Sequence, residues 1–178
     1  MRRLTNILIA MGFAGAAATS NWPQQTEAWA QSTYASPSGD FSIAFPAVPQ
    51  TAGHVPANGD DPGFRTYVVQ SDGGSYQVRV DEYPKNIPVP SPNPKTYEFM
   101  MRSYAVENSG RLASVVPIQV AGRAGVEGVI TFPSGVTERR RAVMVGHLIY
   151  QISYTHTEGV GSSGDGSAFF ESFNLTAR

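Results

Sequence analysis

The stretch GVGSSG, Gly159 to Gly164, carries the glycine spacing of a turn that cradles phosphate, and it lies between a strand-like and a helix-like segment. Dinucleotide chemistry needs that turn inside a parallel βαβ unit, with an acidic residue about 20 positions further on. The segments before it read as an antiparallel meander, and no lysine follows to reach a phosphate. The stretch therefore reads as a flexible loop. His54, His147 and His156 are too scattered for a metal-ligand spacing, with His147 expected in a hairpin turn and His54 in a loop. No serine has the strained strand-turn-helix context of a hydrolase nucleophile. Asp60 and Asp61 in NGDDPG offer hard oxygen ligands for calcium, but the alternating ligands and terminal glutamate of an EF-hand are missing. They read as solvated loop carboxylates, and no residue is assigned to catalysis, a cofactor or a metal.

One cluster remains, ERRRAVMVGHLIYQISYTH. A two-residue turn at Gly146-His147 sets Val143 opposite Tyr150, Arg141 opposite Ile152 and Arg139 opposite Tyr154. Arg139, Arg141, Tyr150 and Tyr154 then share a face as a candidate partner or ligand surface. Arg139 would stack on Tyr154, or the two guanidinium forks would meet an anionic ligand or an acidic partner. The plainer account, which weighs more, has the arginine stems covering an outer sheet face with their heads in water.

Several elements must hold that cluster. Asp40 to Pro46 alternates Phe41, Ile43 and Phe45 against Ser42 and Ala44, a half-buried strand stopped by proline after a Ser/Pro/Gly turn. AVPQTAGHVPANGDDPG has no periodicity and reads as loop. FRTYVVQSDGGSYQVRVDEYP reads as a hairpin about Asp72-Gly73, with Val69 opposite Tyr76 and Tyr67 opposite Val78. Five prolines from Pro84 to Pro94 make an extended connector. In KTYEFMMRSYAVENSG, Tyr97, Met100, Met101 and Tyr104 recur at helical spacing, with Asn108 and Gly110 as stop signals. That stripe suits packing onto a sheet better than lining a ligand groove. RLASVVPIQV, AGVEGVITF, VTERRRAVMV and LIYQISYTH then follow as strands joined by short turns, an antiparallel meander. The chain closes on SAFFESFNL, a helix of barely two turns whose Phe169, Phe170 and Phe173 form an apolar wedge, with Glu171 and Ser172 facing water and Leu175 in a short last strand.

The ends and composition set the compartment. Arg2 and Arg3, the apolar run Leu4 to Ala18, and AWA at Ala28 to Ala30 read as a secretory signal over residues 1–30, cleaved to leave residues 31–178 as a single α+β domain. The apolar run falls short of the roughly 20 residues a spanning helix needs, so no membrane span is expected after cleavage. The chain has no cysteine and a net charge of −1, which removes disulfides and thiolate chemistry and leaves no basic footprint for nucleic acid. The expected location is periplasmic or extracellular.

GDFSIAFPAVPQ at the start, a central helix after a proline-rich connector, the late strand GHLIYQISY and the closing AFFESFNL together resemble the PsbP-like superfamily, secreted bacterial proteins related in fold to PsbP and DcrB. The resemblance implies a central antiparallel sheet covered by helices, an α/β/α sandwich. It implies no catalytic residue and no cofactor, because these relatives act mainly by binding partners or assisting assemblies. The expected function is an exported, non-enzymatic binding or accessory domain of the cell envelope, whose partner is a protein or another envelope component. A carrier of a small apolar or anionic ligand is the alternative, and a hydrolase stands as a third class.

Overall fold

The computed structural model describes residues 32–55, 62–71, 74–89, 91–157 and 166–176. Residues 1–30, expected as a signal, Asp60-Asp61, the expected turn at Asp72-Gly73 and GVGSSG lie outside the described residues. Among the described residues, ten strands and two helices follow in the order β1 (Ser32–Ala35), β2 (Phe41–Phe45), β3 (Gln50–His54), β4 (Gly63–Ser71), β5 (Gly74–Glu82), α1 (Pro94–Glu107), β6 (Arg111–Val120), β7 (Arg123–Thr131), β8 (Val136–Val145), β9 (Leu148–Thr157), α2 (Ser167–Glu171) and β10 (Asn174–Leu175). The large sheet has the order β3-β4-β5-β9-β8-β7-β6, and the small one β1-β2-β10.

The meander and the hairpin form in the expected registers. Val69 faces Tyr76 and Tyr67 faces Val78, while Arg139 faces Tyr154, Arg141 faces Ile152 and Val143 faces Tyr150. These registers follow from short turns. Val145 pairs with Leu148, so Gly146-His147 is a two-residue turn, and Gly146 takes the positive φ of 59° that such a turn requires.

α1 forms for local reasons first. Asn93 caps it by accepting from Thr96 N at 3.0 Å, and Pro94 occupies the first turn, where a missing N–H costs nothing. Tyr97, Met101 and Ala105, each four residues on, are buried, and Tyr97 and Met101 pack with Val126, Ala142, Met144 and Ile149 of the large sheet. Gly128 makes room for this contact, because a Cβ there would stand 3.2 Å from Met101 Sδ. Tyr97 Oη donates to Ala124 O and accepts from Met144 N, both at 3.0 Å, and so satisfies two backbone groups where the helix crosses the sheet.

The other face of the large sheet is covered by β-structure. Phe41, Ile43 and Phe45 of β2 are all at most 1% exposed and pack on Tyr67, Val78, Val80, Tyr150 and Ile152. β10 pairs with β2, and α2 delivers Phe169 and Phe170 to the same core, joined by Phe173 just beyond its end. Phe173 stacks on Phe41 at 5.8 Å, and Phe169 meets Phe45 at 5.3 Å and Tyr76 at 5.2 Å. The expected aromatic wedge is present. Glu171 is exposed as expected, but Ser172 turns inward, accepting from Ala44 N at 2.9 Å and donating to Phe169 O at 2.8 Å.

Three expectations need correction. The fold is predominantly antiparallel β, with 57% of the described residues in strands and 15% in helices, so the α/β/α sandwich is not what forms. The layer assigned to a helix is a second sheet. One turn and a half of α2 cannot cover that face, whereas β1, β2 and β10 pair through their backbones and present alternate aromatics to it. Next, β3 occupies part of the stretch read as loop, and His54 sits on it. All five of its residues are exposed, so the strand is held by backbone pairing with β4 and carries no apolar alternation. Finally, the Ser/Pro/Gly turn is present, but β1 precedes it, over residues assigned to no strand from the sequence.

Candidate functional site

The three consecutive arginines of β8 divide between the two faces of the sheet, because successive strand side chains alternate. Arg139 and Arg141 lie on the face covered by α2. Arg139 Nη2 donates to both Glu127 oxygens at 3.1 and 3.2 Å, and Arg141 Nε donates to Glu127 Oε2 at 2.7 Å. Both guanidinium groups stand over the Phe170 ring, at 5.0 and 4.8 Å, and Arg139 also reaches Ser167 Oγ at 3.3 Å. The pair holds α2 to the sheet around one shared carboxylate. Tyr150 and Tyr154 are 2% and 1% exposed and belong to the aromatic core. The structure thus brings the two arginines together and places both tyrosines beneath the small sheet. Tyr154 stacks with His156 rather than with Arg139.

Arg140 points the other way, and with it comes a polar chain the sequence reading missed. Arg140 Nε and Nη2 both reach Glu138 Oε1 at 2.6 Å, and Arg140 Nη1 donates to Gln151 Oε1 at 2.6 Å. Gln151 Nε2 donates to Asp81 Oδ2 at 2.7 Å, and Arg79 Nε donates to Asp81 Oδ1 at 2.8 Å. Tyr104 Oη donates to Glu138 Oε2 at 3.1 Å, and Arg140 lies 3.6 Å over the Tyr104 ring. Burial is the largest influence on the Tyr104 hydroxyl and raises its pKa above the usual value, which keeps it a donor. A signal for this chain existed in RVD and ERR, since residues two apart on a strand share a face and here carry opposite charge.

This chain floors a groove of about 640 Å³ between α1 and the middle strands β5, β9 and β8. Gln77, Arg79 and Gln151 rise from the floor, while Tyr83, Phe99 and Met100 supply apolar wall. Phe99 is 72% exposed, an unusual state for a large aromatic on an amphipathic helix. A smaller groove of about 410 Å³ opens on the far side of α1, where Pro94, Tyr97, Val115, Pro117 and Val126 make it chiefly apolar. The helix-sheet seam between the two is filled by Tyr97, Met101 and Ala105, none more than 3% exposed.

A second buried carboxylate, Asp40, lies on the opposite face. Its Oδ1 accepts from Ser36 at 2.5 Å and Ser38 at 2.6 Å, and its Oδ2 from Arg65 at 3.0 Å and Tyr150 at 3.3 Å. Burial alone would raise its pKa, but the two serine hydrogen bonds and the Arg65 charge outweigh it and lower the value. The two serines brace the β1–β2 turn internally, and Arg65 and Tyr150 fasten it to the large sheet, so the role is structural. Nδ1 of His147 and of His156 is buried without a hydrogen-bond partner, and among the described residues no group of histidine, aspartate or glutamate is arranged to hold a metal ion. No described helix is long and apolar enough to cross a membrane.

No family model matches this chain, and no curated protein matches it. Among solved structures, a chain from Bacteroides thetaiotaomicron determined at 1.50 Å is similar to it at 10% identity with a TM-score of 0.40. That alignment covers 82% of this chain and 48% of the other, so this chain spans about half the length of the structure it matches.

Proposed function

We propose that this chain is an exported, non-enzymatic binding domain of the cell envelope, and that the groove between α1 and strands β5, β9 and β8 is its binding surface. The observation that carries the reading is the exposed Phe99 beside a polar floor whose ionised groups already have partners. Such a surface is ordered before a ligand arrives, which lowers the cost of binding. The reading also draws support from the sequence likeness to the PsbP-like superfamily and from the signal-like residues 1–30. Among the described residues, Nδ1 of His147 and of His156 is buried without a hydrogen-bond partner, which lends the hydrolase alternative no support. The small apolar groove favours a second reading, a site for a small apolar molecule beside Tyr97 and Pro117.

The test starts from cells exporting the full chain, cross-linked gently in their envelope, with intact complexes read by native mass spectrometry. A component held by the wild type and lost in Phe99→Ala supports the groove. A component held equally by both variants places the surface elsewhere and overturns the assignment.

A further inference from the structure

Building on the groove as the binding surface, we infer that it takes a neutral saccharide, with a sugar ring laid against Phe99 and its hydroxyls on the Arg79, Gln77 and Gln151 side of the floor. Charge is the first ground. Arg79 is paired with Asp81 and Arg140 with Glu138, and Glu107 also borders the groove, so its ionised groups sum to no excess positive charge. An anionic ligand would have to displace an existing carboxylate partner, whereas a neutral polyol has only to add hydrogen bonds. Arginine, glutamine and aspartate present planar donors and acceptors side by side, which suits hydroxyl groups that both donate and accept.

The second ground is the wall. An aromatic ring has a negative face that attracts the weakly positive C–H face of a sugar. Phe99 offers such a face to solvent at the groove, while its helix neighbours Tyr97 and Met101 are buried. The third ground separates a saccharide from a peptide. One common mode of extended-peptide binding adds a strand to an exposed sheet edge, and this groove does not offer it. The floor strands β5, β9 and β8 are interior, each flanked by partners on both sides, and the edges β3 and β6 lie elsewhere. A ligand here meets side chains only. The volume of about 640 Å³ falls inside the roughly 300–1,000 Å³ of small-ligand sites.

The experiment is a titration of the isotopically labelled exported protein with maltotriose, cellotriose and tri-N-acetylchitotriose in turn, followed by backbone amide shifts in NMR. Sodium hexanoate and trialanine serve as the anionic and peptide comparisons. The expected result is a saturable shift at Gln77, Arg79, Phe99 and Gln151 with at least one trisaccharide. Phe99→Ala should weaken that binding about tenfold, and Phe99→Tyr should restore it. No saturable trisaccharide shift, a shift unaffected by Phe99→Ala, or tighter binding of hexanoate or trialanine overturns the saccharide assignment. Groove-dependent capture in the envelope experiment would survive that failure, so the two readings fail separately.

Discussion

Glu138→Leu should be among the most damaging single changes on the α1 face. The side chains of Glu138 and Arg140 are only 5% and 4% exposed, and Glu138 Oε1 accepts two contacts from the guanidinium at 2.6 Å. Removing the carboxylate leaves Arg140 buried with Gln151 and the Tyr104 ring as its remaining named partners. An uncompensated buried charge of this kind costs about 3–5 kcal/mol. Arg140→Met should cost a similar amount, because Glu138 then keeps only Tyr104. The double variant removes both charges together, leaving the neutral Gln151 oxygen and Tyr104 hydroxyl without these partners, a smaller loss than a buried unpaired charge. It should therefore be more stable than either single variant. Urea unfolding at pH 7, compared by midpoint and slope, reads all four species. Since a domain of this kind holds only about 5–15 kcal/mol, Glu138→Gln, which keeps an acceptor, is the milder companion. Additivity of the two single effects within about 0.5 kcal/mol would refute the reasoning, because it would mean the charges do not sense one another.

Asp40→Asn should cost roughly 2 kcal/mol at neutral pH, where the carboxylate receives its hydrogen bonds and the Arg65 charge. The pKa of Asp40 is lowered by folding, so its contribution is present above its ordinary value of 3.8 and fades as pH falls through the lowered one. Urea midpoints of wild type and variant should therefore converge in acid, and a constant gap would count against the assignment. Phe173→Ala, at a site 4% exposed and stacked on Phe41, should lose about 3–5 kcal/mol in the same assay. The pair Arg139→Ser and Arg141→Ser should lower the unfolding temperature by loosening α2 from Glu127, yet leave groove binding unchanged; lost binding with stability intact would return the site to that face. Gly166→Ala should destabilise measurably by calorimetry, because φ is 71° and a Cβ there would stand 2.7 Å from the Tyr154 ring.

Much of the architecture was readable from local pattern. Short turns fix register, so the pairings Arg139–Tyr154 and Val69–Tyr76 follow from counting residues across two-residue turns. Helical spacing of Tyr97, Met100, Met101 and Tyr104 ahead of the stop signals Asn108 and Gly110 does the same for α1. The Phe169, Phe170 and Phe173 wedge needed only spacing and hydrophobicity. Edge strand β3 left no such trace, since a strand exposed along its whole length has no alternation to read.

The site was less accessible to the same logic, for a reason visible in ERRR. Alternation says that Arg139 and Arg141 share one face and Arg140 takes the other, but both faces of β8 carry charge, and nothing local says what packs on either. That was decided by contacts distant in sequence: α2 seats Phe170 under Arg139 and Arg141, and α1 lays Tyr104 against Arg140. Likewise, Asp81 reaches Gln151, and through it the chain that holds Arg140, only because β5 docks against β9, a pairing between segments some seventy residues apart. Periodicity along a chain records which side chains point together. Which of those faces meets another layer, and which stays open as a groove, is settled only when the layers assemble.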